Sequence, residues 1–420
     1  MSGRTISEKI LSAKSGTDAR AGDIVVCDAD LVLGTDASSP MAIGYFEQMG
    51  GQRLFDAHRV VFSLDHYSPP STAKTAAFHD QVRAFASMHG AEVLEVGVGI
   101  SHQVVAERGR VLPGDLVIGA DSHTVTCGAL DAFATGVGSS DLAAAMITGR
   151  IWLRVPETIK VSLVGTRPKG LAAKDAALAM IAELGAEGAN YKTLEFHGAE
   201  VAEFTLEERF VFSNLAVEAG AKAAIFGADA ATDVYLADRT LIRRSAVASD
   251  ADATYAAEIV VDLARLSPRV AIPHSPNDVI PVVDALGTRV QMVFLGTCTG
   301  GRVPDFHEAL DVLERGGGRI ADGVQLVVTP ASREVFLRLT ADGTLGKLTS
   351  MGAIVTTPGC GACCGTSGAI PGDGMTVLST ANRNFKARMG NATASIYLAS
   401  PAACAAAAVT GQITDPRTIG

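Results

Sequence analysis

The chain alternates short apolar runs rich in valine and isoleucine with alanine- and leucine-rich stretches of helical length, and this alternation strongly constrains its fold. The apolar runs are GDIVVC, RVVFSL, EVLEVGVG, GDLVIGA, TIKVSLVG, VQMVFLG, QLVVTP, GAIVTTPG and MTVLST, and the helical stretches include DLAAAMITGRIWLRV and DAALAMIAEL. Strand–helix alternation predicts mainly parallel sheets covered by helices. The runs are nearly continuously apolar, which is typical of strands buried on both faces. We therefore predict an α/β protein made of stacked three-layer α/β/α domains.

Two seams interrupt this alternation. One is the turn VSLVGTRPKG near Arg167, and the other is the proline-rich passage SPRVAIPHSPNDVIPV from Ser267 to Val282. They predict three units, at 1–166, 167–284 and 285–420. The first and third units hold nearly all of the chemically suggestive residues. We therefore expect the active site between them, with the middle unit contributing at its edge.

Composition and charge exclude several classes of protein. With 48% hydrophobic residues, the chain of 420 residues is no disordered regulator. The formal net charge of -10, with no basic cluster longer than Arg243–Arg244, argues against nucleic acid or an anionic membrane as a partner. No apolar run reaches the ~18 residues of a membrane span, and MSGRTISEKILSAKSG lacks the pattern of a secretory signal. We expect a cytoplasmic protein whose seven cysteines form no disulfide framework.

Polar side chains recur directly after the apolar runs. They are Asp65 and His66, His102, the group Asp121, Ser122 and His123, then Cys298, then Cys360 and Cys363, and finally Asn382 and Arg383. A single residue of this kind is more often a turn residue or a helix cap. In open α/β sheets, however, ligands bind beyond the carboxyl ends of the strands. The recurrence therefore predicts one shared site, whereas we interpret the other histidines as structural or solvated.

Four of the seven cysteines stand among glycines, in GTCTGG and PGCGACCG. Glycine lets the backbone approach a bulky inorganic group closely, so these segments favour a metal site. The other three cysteines lie in apolar or alanine-rich stretches, where a thiol behaves as a small buried hydrophobe. They are Cys27, Cys127 and Cys404.

A C-x-x-C pair plus one remote cysteine supplies three thiolates. A structural zinc site or an electron-transfer iron–sulfur cluster normally takes four ligands. A four-iron cluster held by three thiolates keeps one iron open, and an open iron acts as a Lewis acid. The two-residue spacer favours Cys363 over Cys364 as the partner of Cys360 in this set.

Five motifs are spread over essentially the whole chain, namely GADSHTVTCGALDAFATGVGSSDLA, GTCTGG, PGCGACCG, STANRNFKARMG and YLASPAACAAAAVTG. In these motifs and in their order the sequence resembles the aconitase superfamily, in particular the large subunits of two-subunit isopropylmalate isomerases and homoaconitases. The resemblance implies aconitase-like domains 1 to 3 and a hydro-lyase with one 4Fe-4S cluster that has an open iron. The residues that match the family's cluster ligands are Cys298, Cys360 and Cys363.

The same resemblance implies roles for the polar residues. Catalytic roles fall to Asp65, His66, His102, Asp121 and His123, and substrate-binding roles to Ser122, Asn214, Glu218, Asn382, Arg383 and Arg388. A carboxylate beside an imidazole fixes the tautomer of the imidazole and raises the pKa of the imidazole, which suits protonation of a leaving hydroxide. The planar fork of arginine pairs naturally with a substrate carboxylate.

The sequence also departs from the family. Single-chain aconitases carry a further, swivelling domain with the serine that abstracts the substrate proton, whereas this sequence stops at PRTIG. The resemblance therefore implies a small partner subunit that carries this domain, as in the family's heterodimers. Because TDASSP differs from the relatives' pattern, we leave Thr35 and Asp36 out of the catalytic set. Cys364 replaces a residue that is commonly large and apolar.

These observations favour reversible dehydration and rehydration of a hydroxy di- or tricarboxylic acid, with isopropylmalate isomerisation in leucine biosynthesis as the main hypothesis. Homoaconitase, a citraconate or dimethylmalate hydro-lyase and an isomerase of secondary metabolism are close alternatives. Two other classes stay open. One is an RNA-binding regulator, which the acidic balance disfavours, and the other is a structural zinc module with three cysteines and one histidine.

Overall fold

The computed structural model describes residues 3–420 of the chain, and its strands form three larger sheets and a two-stranded ribbon. In chain order the strands are β1 (Ile24–Asp28), β2 (Leu31–Thr35), β3 (Val60–Ser63), β4 (Glu92–Leu94), β5 (Leu116–Gly119), β6 (Phe133–Gly136), β7 (Arg150–Arg154), β8 (Thr158–Val164), β9 (Thr193–His197), β10 (Ala223–Phe226), β11 (Ala257–Asp262), β12 (Arg269–Ala271), β13 (Val279–Pro281), β14 (Met292–Gly296), β15 (Gln325–Thr329), β16 (Ile354–Val355), β17 (Thr376–Ser379) and β18 (Ser395–Ala399).

Helices connect and cover these strands. In chain order they are α1 (Ile6–Ser15), α2 (Ser39–Gln48), α3 (Ala73–His89), α4 (Ser101–Glu107), α5 (Ser139–Thr148), α6 (Ala173–Leu184), α7 (Leu206–Leu215), α8 (Ala230–Ala237), α9 (Val303–Arg315), α10 (Arg333–Ala341), α11 (Thr344–Ser350) and α12 (Pro401–Thr410). Short 3-10 helices at Ser122–Leu130, Ala216–Ala219 and Gly361–Cys364 carry candidate site residues. No helix within residues 3–420 combines the length and apolarity needed to cross a membrane.

The first sheet has the order β4-β3-β2-β5-β6, and all of its strands are parallel. The second, β10-β9-β8-β11, is also parallel. The third has the order β13-β12-β18-β17-β14-β15-β16, and only β12 runs antiparallel to its neighbours β13 and β18. The predicted α/β class with mainly parallel sheets is confirmed.

The hydrophobic core explains why the apolar runs do not alternate with polar residues. Every residue of β2 and of β14 is buried, because each strand lies inside its sheet with side chains covered on both faces. One large cluster of buried side chains draws on all three sheets, through residues such as Leu33, Val161 and Phe294. Two further clusters cover other faces of the first and third sheets. The three sheets therefore share packing, and segments from all of them reach one site.

The sequence prediction of one continuous helix over DLAAAMITGRIWLRV is wrong. Helix α5 ends at Thr148, and Gly149 caps it in the left-handed conformation with φ of 71°. Strand β7 then begins at Arg150, and its residues alternate between exposed and buried as it pairs with β1. A glycine cap followed by an alternating pattern is a stop signal for the helix and a start signal for a strand.

The division into three units at 1–166, 167–284 and 285–420 stays a proposal. Strand β8 precedes the turn at Arg167 but pairs in the second sheet. The proline-rich passage itself forms β12 and β13, which pair in the third sheet. Strand pairing therefore favours seams before Thr158 and before Arg269.

Buried Asp131 gives the fold a pH-dependent element. It follows the 3-10 helix Ser122–Leu130, adopts φ of 60° and is fully buried. Its Oδ2 accepts a hydrogen bond from the backbone N–H of Val247, whereas its Oδ1 has no partner among residues 3–420. Burial raises the pKa of Asp131 to about 7. The pKa of an aspartate in an unfolded chain is about 4. Between pH 4 and pH 7, roughly, the folded chain therefore binds a proton that the unfolded chain has lost, so the free energy of unfolding falls as the pH rises through this range.

We expect Asp131→Asn to remove this dependence, because an asparagine tolerates the left-handed conformation and carries no titrating carboxyl group. The melting temperature of the variant minus that of the wild type should increase between pH 5 and pH 8. Thermal melts at both pH values measure this difference. Asp322→Asn, at an exposed side chain, is the matched control. An equal difference at both pH values would contradict the prediction.

Candidate active site

Asp65 and His66 lie at the carboxyl end of β3, where the first sheet meets the third. The Asp65 carboxylate is 1% exposed, and its Oδ2 accepts a hydrogen bond from the backbone N–H of Ser101 at 2.7 Å. Its Oδ1 lies 2.8 Å from Nδ1 of His66. Burial raises the pKa of Asp65, and the adjacent His66 partly offsets that rise. The pair therefore has the carboxylate–imidazole arrangement that the sequence predicted.

His66 lies between two carboxylates. Its Nε2 is 3.4 Å from Oδ2 of Asp121, which follows β5 in the same sheet. Burial opposes a charge on His66, but Cys360 in its thiolate form and the carboxylate of Asp65 outweigh it and raise the pKa of His66 well above its ordinary value. Burial alone would raise the pKa of Asp121, but the hydrogen bond from His123 and the charge on His66 hold it well below its usual range. This geometry favours an imidazolium between carboxylates.

Asp36 is a site residue that the sequence analysis left out. It follows β2 and is fully buried. Its Oδ1 accepts a hydrogen bond from the backbone N–H of His66 at 2.9 Å, and its Oδ2 accepts one from that of Tyr67 at 2.9 Å. Nε2 of His79 lies 2.9 Å from the same Oδ2. Asp36 therefore positions His66, and its place at a strand end was a signal that could have found it.

His123, Glu218 and Arg383 form a chain of contacts that joins the three sheets. Nε2 of His123 lies 2.9 Å from Oε1 of Glu218, and Nε of Arg383 donates to both carboxylate oxygens at 2.8 and 3.0 Å. Burial would raise the pKa of Glu218, but His123 and Arg383 together lower it. The terminal nitrogens of Arg383 donate to no acceptor within residues 3–420 and are free for a ligand.

Two asparagines connect Cys298 with Cys363. Nδ2 of Asn214 donates to Sγ of Cys298 at 3.1 Å, and Nδ2 of Asn382 donates to the same sulfur at 3.4 Å. Asn382 Nδ2 also donates to Oδ1 of Asn214 at 3.1 Å, and the Cys363 thiol lies 3.7 Å from Oδ1 of Asn382. The amides therefore point at sulfur, as is typical around iron–sulfur ligands.

Cys360 brings the third sheet against the first. Its backbone N–H donates to the carbonyl oxygen of Asp65 at 2.9 Å, and the ligand atoms of Asp65, His66 and Cys360 lie within 4.8 Å of one another. A Cβ on Gly359 would lie 2.7 Å from that carbonyl oxygen. The glycine is therefore needed where two protein segments approach each other, whereas the sequence analysis attributed the glycines to an inorganic group.

Cys363 and Cys364 have different surroundings. Nη2 of Arg388 lies 3.6 Å from Sγ of Cys363, which also faces Asn382. Sγ of Cys364 instead lies 3.0 Å from Oγ1 of Thr366. These contacts favour Cys363 as a member of the three-thiol set, which stays a proposal.

His102 and Ser122 differ from the rest of the predicted set. His102 is 2% exposed, and neither of its ring nitrogens has a hydrogen-bond partner among residues 3–420. Burial lowers the pKa of His102 to about 3, so its ring is neutral. A buried polar group without a partner calls for a ligand or water. Ser122 lines a cavity of about 410 Å3 that no other candidate site residue lines.

The profile of the aconitase family (aconitate hydratase) matches residues 8–287 and 284–411. The chain belongs to the aconitase family. It is 44% identical over 416 residues to 3-isopropylmalate dehydratase large subunit 1 of Methanopyrus kandleri, and 45% identical over 418 residues to large subunit 2 of Archaeoglobus fulgidus. Each alignment covers 99% of both chains. The predicted family is confirmed.

A solved structure supports the fold. Aconitase X of Thermococcus kodakaraensis, in its holo form, superposes with a TM-score of 0.50 at 13% sequence identity. The match covers 90% of this chain and 88% of that chain. At this identity the likeness concerns the fold alone.

A 4Fe-4S cluster is general in the aconitase family, and the residues of this chain fit one. Cys298 and Cys363 share Asn382 as a neighbour, and Cys298 and Cys360 belong to one apolar cluster with Ile100 and Ala331. Burial raises the pKa of Cys298 to about 12 and that of Cys360 well above its ordinary value. Such thiols stay protonated unless a metal binds the thiolate, so soft, buried donors suit iron–sulfur coordination.

We expect Asp36→Asn to lower the free energy of unfolding by about 1–3 kcal/mol. The buried carboxylate then loses its charge and one acceptor oxygen, while the backbone N–H groups of His66 and Tyr67 still need acceptors. Denaturant unfolding measures the change. Asp80→Asn is the matched control, because Asp80 lies beside His79 on α3 but its side chain is 82% exposed. Equal stabilities for the two variants would contradict the positioning role of Asp36.

Proposed function

We propose that the chain is the large subunit of a two-subunit hydro-lyase that interconverts 2-isopropylmalate and 3-isopropylmalate in leucine biosynthesis. Membership of the aconitase family makes it a hydro-lyase. The proposed substrate rests on relatives named 3-isopropylmalate dehydratase large subunit, to which this chain is 40–45% identical over 99% of its length. A carboxylic acid substrate fits the site, since the guanidinium of Arg388 lies 3.6 Å from Sγ of Cys363 and the imidazole of His66 lies beside Cys360.

Cys298, Cys360 and Cys363 are the proposed ligands of the cluster. When bound, a four-iron cluster with three protein thiolates supplies one open iron as a Lewis acid for a substrate hydroxyl or carboxylate oxygen. The shared neighbours of these thiols support the assignment. Asn214 and Asn382 keep their amide N–H groups directed at Cys298.

Arg383 and Arg388 are the proposed carboxylate ligands. Glu218 fixes Nε of Arg383, which orients the guanidinium and leaves its terminal nitrogens for a bidentate pair with a substrate carboxylate. Nε of Arg388 is buried without a partner in the described part of the chain. Asn382 and Asn214 complete the proposed binding set, in which Ser122 is kept as the neighbour of Asp121 and His123 although it lines a separate cavity.

The proposed proton donor to the leaving hydroxyl group is an imidazole among His66, His102 and His123. The carboxylates of Asp65 and Asp121 lie 2.8 and 3.4 Å from the ring nitrogens of His66 and favour its protonated form. His102 is neutral and can share a hydrogen bond with a substrate oxygen, because its ring nitrogens have no partner within residues 3–420. The base that removes the substrate proton is expected on a small partner subunit with the swivelling domain, and we place the reaction in the cytoplasm.

The proposal predicts that the purified, cluster-loaded chain has negligible activity until a small subunit is added. The mixture should then interconvert 2- and 3-isopropylmalate, and the absorbance of the dehydrated intermediate measures this. Homocitrate and citraconate, tested alongside, represent the alternative hydro-lyases. Faster turnover of either compound than of isopropylmalate would contradict the proposed substrate. Full activity of the chain alone would contradict the proposed two-subunit assembly.

Each of Cys298→Ser, Cys360→Ser and Cys363→Ser should abolish cluster assembly, because only two thiolate anchors remain. Cys364→Ser is the matched control and should retain the cluster. Iron and sulfide analysis, with the visible spectrum, measures the outcome. If the Cys363→Ser variant retained the cluster and the Cys364→Ser variant lacked it, Cys364 and not Cys363 would be the third ligand. If the wild-type protein were colourless and contained zinc, the site would be a zinc site and not an iron–sulfur site.

A further inference from the structure

Lys174 is a buried ammonium group that no candidate role has used. It lies at the start of α6, beside the second sheet, and is 2% exposed. Its Nζ donates hydrogen bonds to two backbone carbonyl oxygens, that of Thr380 at 3.0 Å and that of Ala381 at 2.7 Å. These carbonyls follow β17 in the third sheet and come directly before Asn382. A side chain near the second sheet therefore holds the backbone of a third-sheet loop.

This loop reaches the thiols through short contacts. Asn382 lies 3.4 Å from Sγ of Cys298 and 3.7 Å from Sγ of Cys363, measured from its Nδ2 and Oδ1. The Thr380 carbonyl also accepts a hydrogen bond from Oγ1 of Thr299, the residue after Cys298, at 2.8 Å. The carbonyls that Lys174 holds therefore belong to the two residues directly before the asparagine whose amide contacts both sulfurs.

The charge of Lys174 has no carboxylate partner. Within residues 3–420, no carboxylate oxygen lies within 4 Å of its Nζ, so neutral carbonyls are its hydrogen-bond acceptors. Burying a cation without a counter-charge is unfavourable, so buried cations in proteins are normally paired with a negatively charged group. Burial lowers the pKa of Lys174 to about 8, while Cys298, Cys404, Asp305 and Cys363 favour its charged form. Of these groups, Cys298 and Cys363 are proposed thiolate ligands, so metal binding there would supply negative charge in addition to that of Asp305.

We propose that Lys174 is a positioning residue for the cluster site: its two hydrogen bonds hold the backbone of Thr380 and Ala381, and thereby Asn382, against the thiols. Its buried positive charge balances the net negative charge of a cluster held by three thiolates. The inference rests on the cluster in the proposed function. It adds a residue of α6 whose hydrogen bonds go to backbone carbonyls and not to the proposed cluster ligands.

Lys174→Met removes both the donor and the charge, whereas Lys174→Gln keeps an N–H donor and removes the charge. Lys222→Met is the matched control, because Lys222 is a partly buried lysine whose Nζ donates to one carbonyl, that of Gly136 at 3.1 Å. The loaded chains are exposed to a chelator and a mild oxidant, and the decay of visible absorbance gives the rate of cluster loss. A redox titration then gives the reduction potential of each cluster.

We expect Lys174→Met to lose its cluster roughly tenfold faster than the wild type, the size expected when a hydrogen bond to a charged group disappears. Lys174→Gln should lose it at an intermediate rate. Both potentials should become more negative, since an electron is harder to add once a nearby cation is gone. Lys222→Met should match the wild type in both measurements. Circular dichroism and melting temperature establish that each variant is folded.

A folded Lys174→Met or Lys174→Gln chain with wild-type retention and potential would overturn the inference. If Lys174→Met does not fold, Lys174→Gln decides the question alone. The measurement needs a loaded cluster but no turnover. A wild-type chain that loads the cluster but does not isomerise isopropylmalate would therefore contradict the proposed function only, whereas a chain that loads no cluster would contradict both.

Discussion

The carboxylate and carbonyl groups of Asp65 connect segments that are far apart in the chain. The carboxylate holds the ring of His66 and the first N–H of α4, at Ser101, while the carbonyl oxygen accepts the N–H of Cys360 from the third sheet. Asp65 itself is buried, so an acceptor oxygen of this residue that lost its partner would carry the penalty of an unsatisfied polar group. Asp65 therefore fixes Cys360 beside His66, together with hydrogen bonds from Ser68 and Thr366 that join the same two segments, and the absence of a side chain at Gly359 permits the approach.

Parallel strands explain how much of the site the sequence could predict. Asp65, Asp121, Cys298 and Asn382 each follow an apolar run, and the carboxyl ends of neighbouring parallel strands meet at one edge of a sheet. Asp36 carried the same signal after β2 and was missed only because the motif around it departs from that of relatives. The α/β class followed from the same runs, since strands covered on both faces need no polar alternation.

The remaining site residues lack a comparable signal in the sequence. His79 lies inside α3 and Lys174 at the start of α6, where a polar residue usually faces solvent. Their roles depend on contacts with segments that are distant in sequence, namely the carboxylate of Asp36 and the backbone carbonyls of Thr380 and Ala381. Every residue has a backbone carbonyl group, so the sequence does not indicate which carbonyl accepts the hydrogen bond of a lysine. The contact is visible only in the structure, where α6 packs near the loop after β17.

The surroundings of two imidazoles in the site shift their pKa values in opposite directions. His66 lies between carboxylates and beside Cys360, and these neighbours raise its pKa despite burial. His102 has no hydrogen-bond partner within residues 3–420, so burial dominates and its pKa falls to about 3. Environments that push the pKa values of similar groups apart are how one site assigns proton donors and acceptors. The difference follows from the surroundings of each ring, because His66 follows β3 beside ionisable groups, whereas His102 lies in the first turn of α4 without a hydrogen-bond partner in the described part of the chain.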